Sequence, residues 1–290
     1  MGDDQLRDRI TDQFSYRGSR ADIWRVFDRL LDTDAFLNLG YSRWYQPHVG
    51  AASQRRLVTL LGKRLAAYCS TTQDARLLDV GCGRGGPTVH LAEQFGFRAT
   101  GVDLVPYNVA RARENARERG VDASFVVGDA TSLPFASASL PACVGVDAFV
   151  YLPDREAVFA EIAHVLQPDG VVVFSDLLAQ TGRDDADRRA VSAFADAWDM
   201  PDPGTRADYE RALDAADLDV VAVEDVSAHS VGQFRKWTAL FGRLHGSPLG
   251  PAIDRFLGRY DLDPQSITEQ VRLANAALPS LRHVLFVARK

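Results

Sequence analysis

The sequence predicts a doubly wound α/β fold, in which helices cover both faces of a mostly parallel sheet. From Arg76 onward, short apolar runs alternate with amphipathic helical patterns, which is typical of parallel strands joined by crossover helices. The candidate strands are RLLDV, FRATGVD, ASFVVGD, LPACVGVD and VVVFSD, followed by DVVAVEDVSA and LRHVLFVARK. A chain of 290 residues is long enough for one large domain with a substantial insertion around these seven strands.

Helical patterns precede and interrupt the strands. Residues 1–70 are expected to form an N-terminal helical cap, in which RRLVTLLGKRLAAYC places apolar residues at helical spacing. Residues 71–290 are expected to form the core, with helical insertions at about 180–216 and 230–277. We expect the second insertion to form part of a lid together with the N-terminal helices.

Composition and charge argue against several classes of protein. The net charge of −6 disfavours nucleic-acid binding, which needs Lys and Arg on phosphates. No segment approaches the ~20 apolar residues of a membrane span, and MGDDQLRDRI lacks the apolar part of a signal peptide, so a cytoplasmic location is expected. Cys69, Cys82 and Cys143 are widely spaced without a nearby histidine, so neither a disulfide framework nor a metal site is predicted.

Each of the five predicted parallel strands ends in an aspartate. These are Asp79, Asp103, Asp129, Asp147 and Asp176. Ligands of open parallel sheets bind beyond the carboxyl ends of the strands, so we expect five carboxylates at one edge of the sheet. Aspartate is also common in loops and at helix N-termini. The series of five, rather than any single residue, therefore indicates a site.

A glycine loop follows the first strand. The segment RLLDVGCGRGG contains the pattern G-x-G-x-x-G through Gly81, Gly83 and Gly86, which occurs in dinucleotide sites. Asp103 lies 22 residues beyond Gly81, near the spacing of an acidic residue that binds ribose hydroxyls. Taken alone, this pattern is compatible with a nicotinamide-dependent oxidoreductase.

The carboxylate of Asp79 bears on the charge of the ligand, because it directly precedes the glycine loop. Two like charges about 4 Å apart repel by ~1–4 kcal/mol in a partly wet site. A pyrophosphate would therefore be disfavoured, whereas a cation would be attracted. S-adenosylmethionine carries a sulfonium and an ammonium and has no phosphate, so the sequence favours it over a dinucleotide.

Four segments between about residues 76 and 177 together resemble the class I S-adenosylmethionine-dependent methyltransferases. They read LLDVGCGRGG, TGVDL, VVGDATSLPF and VFAEIAHVLQPDGVVVFSD. The upstream segment FLNLGYSRWY is similar to one found in small-molecule members, which include natural-product and sugar O-methyltransferases and tocopherol and sterol C-methyltransferases. The resemblance implies a Rossmann-like, seven-stranded sheet with an antiparallel last strand, and S-adenosyl-L-methionine as cofactor.

The resemblance also implies which residues bind the cofactor. They are Asp79, Gly81, Gly83, Asp103, Leu104, Asp129, Ala130 and Val146, and we expect Cys82 of the glycine loop and Tyr41 to bind it as well. Asp103 would hold the ribose, Asp129 would accept a hydrogen bond from the adenine amino group, and Val146 would flank the sulfonium. Tyr41 could place its ring against the sulfonium, which is worth ~0.5–2 kcal/mol for a cation over an aromatic face.

Catalysis of methyl transfer depends more on alignment than on dedicated groups. By the same resemblance, sugar O-methyltransferases place a histidine pair after strand four, where this chain has Val150 and Tyr151, and an aspartate at the end of strand five, where it has Asp176. The predicted catalytic residues are therefore Asp176 as base or acceptor-orienting group, Tyr151 and Asp147. His48 and His229 are two histidines that could reach the acceptor.

The acceptor stays open at this point. O-methylation of a natural-product or sugar hydroxyl is the leading prediction, with C-methylation of a prenyl or aromatic carbon and N-methylation of a small amine as alternatives. A nicotinamide-dependent oxidoreductase and a non-catalytic ligand-binding member of the fold are alternatives of another class. Enzymes that methylate amino groups of nucleic acids carry D/N-P-P-Y/F after strand four, where this chain has DAFVY. A homo-oligomer is compatible with the sequence.

Overall fold

The computed structural model describes residues 3–15, 33, 35–46, 50–69 and 74–290. Its strands are β1 (Arg76–Val80), β2 (Arg98–Asp103), β3 (Ser124–Val127), β4 (Leu140–Val146), β5 (Leu166–Ala179), β6 (Asp219–Asp225) and β7 (Leu281–Arg289). They form one sheet in the order β3-β2-β1-β4-β5-β7-β6. The last strand, β7, is antiparallel to both of its neighbours, and the other pairs are parallel. The predicted fold class is therefore confirmed, including its antiparallel last strand.

Helices precede the sheet, cover its faces and form its insertions. Those described are α1 (Asp3–Phe14), α2 (Gly50–Tyr68), α3 (Gly86–Phe95), α4 (Pro106–Arg119), α5 (Arg155–Val165), α6 (Asp185–Ala197), α7 (Arg206–Asp214), α8 (Val231–His245), α9 (Gly250–Arg259) and α10 (Pro264–Ala277). Side chains of Asp154, Asp184 and Asp263 cap the N-termini of α5, α6 and α10. The division into a cap at 1–70 and a core at 71–290 stays a prediction, as does its assignment of the helices at 185–214 and 231–277 to insertions.

The two faces of the sheet bury separate apolar clusters. On one face, Phe149, Phe159 and Phe174 pack around α5 and α7. On the other face, Leu57 and Leu61 of α2 pack against apolar residues of the central strands. Each fully buried Leu or Phe side chain contributes ~1.5–3 kcal/mol to stability, so these clusters fix the sheet on which the site is built.

The boundaries of β5 differ from the sequence prediction. The candidate strand VVVFSD begins at Val171, but β5 begins at Leu166, directly after α5 ends at Val165. The strand was also expected to end at Asp176, but it continues to Ala179 because β7 pairs with it from Val171 to Ala179. Asp176 consequently lies inside the strand rather than at its end.

No helix in the described part of the chain is both long enough and apolar enough to cross a membrane.

Candidate active site

The glycine loop between β1 and α3 brings backbone rather than side chains to the edge of the sheet. Gly81, Gly83 and Gly85 have φ angles of 72°, 53° and 80°, which L-residues rarely adopt. A Cβ atom at Gly81 would lie 2.5 Å from the Cβ of Ala148. Glycine is therefore required by the backbone path of this loop, and the contact of its backbone with the cofactor stays a prediction.

Asp79 is fully buried beneath this loop. Thr88 donates a hydrogen bond of 2.6 Å to its Oδ2, while its Oδ1 has no hydrogen-bond partner among the described residues. The pKa of Asp79 is raised to about 7, chiefly by burial. The hydrogen bond from Thr88 lowers this pKa, and the nearby charge of Asp103 raises it. An unsatisfied buried carboxylate oxygen costs free energy that a cationic ligand would recover, so the site fits the ammonium of S-adenosylmethionine.

Asp103 ends β2 and ties the loop to α4. Its Oδ2 accepts a bond of 2.9 Å from the backbone N of Gly83, and its Oδ1 accepts bonds from Val105 N at 2.9 Å and Asn108 Nδ2 at 3.1 Å. Desolvation by burial raises the pKa of Asp103 above its usual value, against the lowering effect of these three hydrogen bonds. A carboxylate has about four lone-pair sites, so capacity remains for a ribose hydroxyl.

The other residues predicted around the cofactor lie near the same edge. Asp129 follows β3 by two residues, and its Oδ1 accepts from Thr131 N at 2.9 Å and from Thr131 Oγ1 at 2.8 Å. Ala130 packs against the apolar cluster that contains Phe149 and Phe159. Val146 and Cys82 are buried. Leu104 follows β2 directly and is partly exposed. Their contacts with the cofactor stay predictions.

Asp147 directly follows β4 with a φ angle of 55°. Its Oδ1 accepts from Ser175 Oγ and, at 2.8 Å, from Nε2 of the fully buried His283, while its Oδ2 accepts from Leu39 N at 2.8 Å. Burial alone would raise the pKa of Asp147, but the imidazole of His283 and these hydrogen bonds hold it below its usual range. Asp147 is therefore held as a fixed carboxylate at the edge of the sheet.

The side chain of Asp176, the predicted base, lies on the face of β5 opposite to that of Ser175, which contacts Asp147. Its Oδ2 accepts a bond of 2.6 Å from Tyr209 OH, and its side chain is fully buried. Burial raises the pKa of Asp176 to about 7, against the lowering effects of the Tyr209 bond and of Arg155. Its neighbours Ser175 and Leu177 point to the opposite face, so the geometry favours a structural role for Asp176, and its role as a base stays a prediction.

The segment 35–42 lies over the glycine loop and reaches Asp147. The N of Gly86 donates to Ala35 O at 3.2 Å, and Leu37 would touch a Cβ at Gly83 at 3.2 Å. Tyr41 packs against the apolar cluster of α2, and its ring lies 4.8 Å from that of His229. His229 in turn contacts Ser42 O at 3.2 Å, so it holds the segment in place, and His48 lies outside the described residues.

Two buried amides of this region were not singled out from the sequence. Gln54 Nε2 donates to Asn38 O at 2.8 Å, and Asn38 Oδ1 accepts from Gly40 N at 3.0 Å. These bonds fix the orientation of both amides and leave Asn38 Nδ2 and Gln54 Oε1 without partners among the described residues. Only the quoted segment FLNLGYSRWY, which contains Asn38, could have pointed to the pair.

A cavity of about 500 Å³ opens beside Asp147. Its polar wall includes Asn38, Gln54 and Asp147. The rest of the described lining is almost wholly apolar, and its aromatic members are Tyr151, Phe194, Trp198, Phe234, Trp237, Phe241 and Phe256. Desolvation and the charges of Asp176 and Asp147 raise the pKa of the Tyr151 phenol, which keeps it neutral. The described residues contain no group of three or more His, Cys, Asp or Glu that could hold a metal ion.

Comparison with known proteins agrees with this geometry. Residues 77–170 match a family model described as a methyltransferase domain. The 27-O-demethylrifamycin SV methyltransferase of Amycolatopsis mediterranei is 30% identical over 276 residues, covering 91% of this chain and 94% of the relative. The chain belongs to the class I S-adenosylmethionine-dependent small-molecule methyltransferases. The methyltransferase prediction is thereby confirmed over the oxidoreductase alternative.

Solved structures share the fold of this methyltransferase. A candidate sarcosine dimethylglycine methyltransferase from Galdieria sulphuraria has a TM-score of 0.75 at 19% identity, covering 93% of this chain and 97% of that one. The geranyl diphosphate C-methyltransferase of Streptomyces coelicolor A3(2), solved with Mg²⁺, geranyl diphosphate and S-adenosyl-L-homocysteine, has a TM-score of 0.68 at 19% identity, covering 98% and 97%. S-adenosylmethionine is the cofactor. Relatives of the chain methylate oxygen, carbon or nitrogen, so relationship alone does not select the acceptor atom.

Proposed function

We propose that this methyltransferase transfers the methyl group to a hydroxyl of a bulky, largely apolar acceptor. The observation that carries the proposal is the cavity of about 500 Å³ beside Asp147. Binding sites of this volume accept drug-sized ligands, and an apolar lining favours ligands that bury most of their apolar surface. A polyketide, a polycyclic phenol or a hydroxylated terpenoid has suitable size and polarity.

The same lining disfavours the more polar acceptors. Asp147 is the one charged side chain among the described residues of the wall. A free sugar would lose hydrogen bonds to water at several hydroxyls, each costing ~1–3 kcal/mol when left unpaired. A diphosphate would meet no Arg or Lys on the described wall and would be repelled by Asp147.

The contacts of Asp147 support a hydroxyl as the reacting group. Three of its about four lone-pair sites are taken by Ser175, His283 and Leu39, and the remaining one is on Oδ2. Because Asp147 lines the cavity, that site can accept a hydrogen bond from an acceptor hydroxyl. The bond would orient an oxygen lone pair for attack, which is the alignment on which methyl transfer depends.

Asp147 also has a place for the proton that an O-methylation releases. S-adenosylmethionine supplies a methyl group already activated for displacement. The acceptor oxygen becomes strongly acidic as its new bond forms, so even a carboxylate with a lowered pKa can take the proton. Ser175 and His283 hold the carboxylate in place during this transfer.

Matched acceptors and matched variants test the proposal. We expect transfer of labelled methyl to an apolar phenol or alcohol and none to its deoxy analogue, to a free sugar or to a small amine. Asp147→Asn should lower kcat/KM at least about 100-fold with little change in S-adenosylhomocysteine affinity. Asp176→Asn, another buried aspartate but one on the opposite face, is the control and should retain most activity.

Two results would contradict the proposal. Equal loss in both variants would remove the evidence for a specific role of Asp147, and a larger loss in Asp176→Asn would move the role of base to Asp176. Methylation of a prenyl chain without a hydroxyl would instead support C-methylation, for which the aromatic wall would stabilise a developing carbocation.

A further inference from the structure

The helices α8 and α9 expose an unusual amount of large apolar surface. Six side chains on or beside them, all between 40% and 56% exposed, form what we call the lid face: Trp237, Leu240, Leu244, Leu249, Phe256 and Tyr260. Spacings of three, four and seven residues put each helix's members on one side of that helix. Apolar side chains next to this stripe on the same helices, Phe241, Ile253 and Leu257, pack in a small separate core with Ile267. The lid face is therefore not needed to hold the helices together.

Basic residues flank the lid face. Residues 231–260 contain five Arg or Lys and one Asp, in a chain whose net charge is −6. Lys236 and Arg243 lie seven residues apart beside the apolar stripe of α8, and Arg255 and Arg259 lie beside that of α9. The single acidic residue, Asp254, is paired with His245.

The lid face and the cavity share side chains. Trp237, Leu244 and Phe256 are exposed to solvent and at the same time line the cavity. A ligand that leaves the cavity on this side therefore passes between apolar side chains and meets whatever covers them.

We propose that the lid face docks on an anionic lipid surface, from which the apolar acceptor enters the cavity. Helices with exposed Trp, Phe and Leu beside Lys and Arg bind bilayer interfaces through apolar burial and attraction to anionic headgroups. A second copy of this chain is a poorer occupant, because the two basic flanks would repel each other. The entry route rests on the proposed function, since it requires an apolar acceptor; docking itself does not.

Vesicle flotation of the full chain, without cofactor or acceptor, tests docking. We expect binding to vesicles of 30% phosphatidylglycerol in phosphatidylcholine, little binding to phosphatidylcholine alone, and weakening by salt. Lys236→Glu/Arg243→Glu should weaken partitioning at least about thirtyfold, and Leu240→Ser/Leu249→Ser about tenfold. Arg117→Glu/Arg189→Glu, with the same change in net charge elsewhere on the surface, and Val221→Ser, an exposed apolar residue of β6, are the matched controls.

Three outcomes would overturn docking on lipid. Failure of the wild-type chain to float with either vesicle would show that the lid face does not dock on lipid. A dimer in light scattering that Leu240→Ser/Leu249→Ser dissociates would identify a second copy. If the control variants weakened partitioning onto the vesicles as much as the lid-face variants, the binding would be a non-specific effect of net charge.

The entry route has its own readout. The lid-face variants should methylate an acceptor dissolved in buffer at the wild-type rate, and a vesicle-borne acceptor at least about tenfold more slowly. Equal rates on the vesicle-borne acceptor would overturn the entry route, whereas docking would still stand or fall on flotation.

Discussion

Protonation of Asp79 should control the affinity of this enzyme for its cofactor. The carboxyl is fully buried, has an unpaired Oδ1 among the described residues, and has a pKa raised to about 7. A cationic ligand prefers the ionised form, so binding should release a proton from part of the population near neutral pH. The same raised pKa means that the ligand-free protein loses stability as pH rises from about 4 to about 7.

The size of the effect follows from that pKa. With a pKa of about 7, Asp79 is about half ionised at pH 7 and about one-tenth ionised at pH 6. The association constant for S-adenosylmethionine should therefore fall about fivefold between pH 7 and pH 6, and about tenfold per unit below. An α-amino group has a pKa of ~8, so the ligand stays cationic over this range. Asp79→Asn should lose ~1.5–3 kcal/mol of binding, or about 10- to 150-fold, and with it the pH dependence.

Titration calorimetry between pH 5.5 and 7, in buffers of different ionisation enthalpy, measures both affinity and proton release. Asp176→Asn is the matched control, because Asp176 is equally buried with a pKa raised to about 7 but lies on the other face of β5. That variant should keep the wild-type pH dependence. An unchanged pH profile in Asp79→Asn, or its loss in Asp176→Asn, would refute the assignment of the ammonium to Asp79.

Three further predictions concern the glycine loop, Asp176 and Asp147. Gly81→Ala should cost ~1–3 kcal/mol in denaturant-measured stability, because its φ is 72° and its Cβ would overlap a neighbouring side chain; an unaltered midpoint would contradict this. Tyr209→Phe should lower the free energy of unfolding by ~1–3 kcal/mol, because it removes the hydrogen bond to the buried Oδ2 of Asp176. We expect little change in kcat, and a selective loss of kcat would implicate Asp176 in the chemistry. His283→Gln should raise the pKa of Asp147, so the acid limb of the pH–activity profile should move to higher pH while S-adenosylhomocysteine affinity is kept; an unmoved limb would rule out the positioning role.

The positions of the strands along the chain and the glycine loop could be predicted from the sequence because they depend on local patterns. Apolar runs between turn residues predicted where the strands lie along the chain. The charge of Asp79 beside the glycine loop indicated a cationic ligand. These inferences need only a few consecutive residues and the general rule that parallel strands present their ends at one edge.

The partners of the catalytic candidates could not be predicted, because they come from distant parts of the chain. His283 is 136 residues from Asp147 and reaches it only because β7 inserts between β5 and β6. The position of Asp176 depended on how far β7 extends the pairing of β5, and the two-residue period of a strand then placed it on the opposite face from Ser175 and Leu177. The cavity itself depends on how α8–α10 pack, which no periodicity specifies.

A structure of the enzyme with S-adenosylhomocysteine and a hydroxylated apolar acceptor tests the central proposal most directly. We expect the acceptor to fill the cavity with its hydroxyl oxygen ~2.6–3.2 Å from Oδ2 of Asp147. An acceptor that places its hydroxyl away from Asp147 and an unsaturated carbon beside the sulfur would contradict O-methylation at this site.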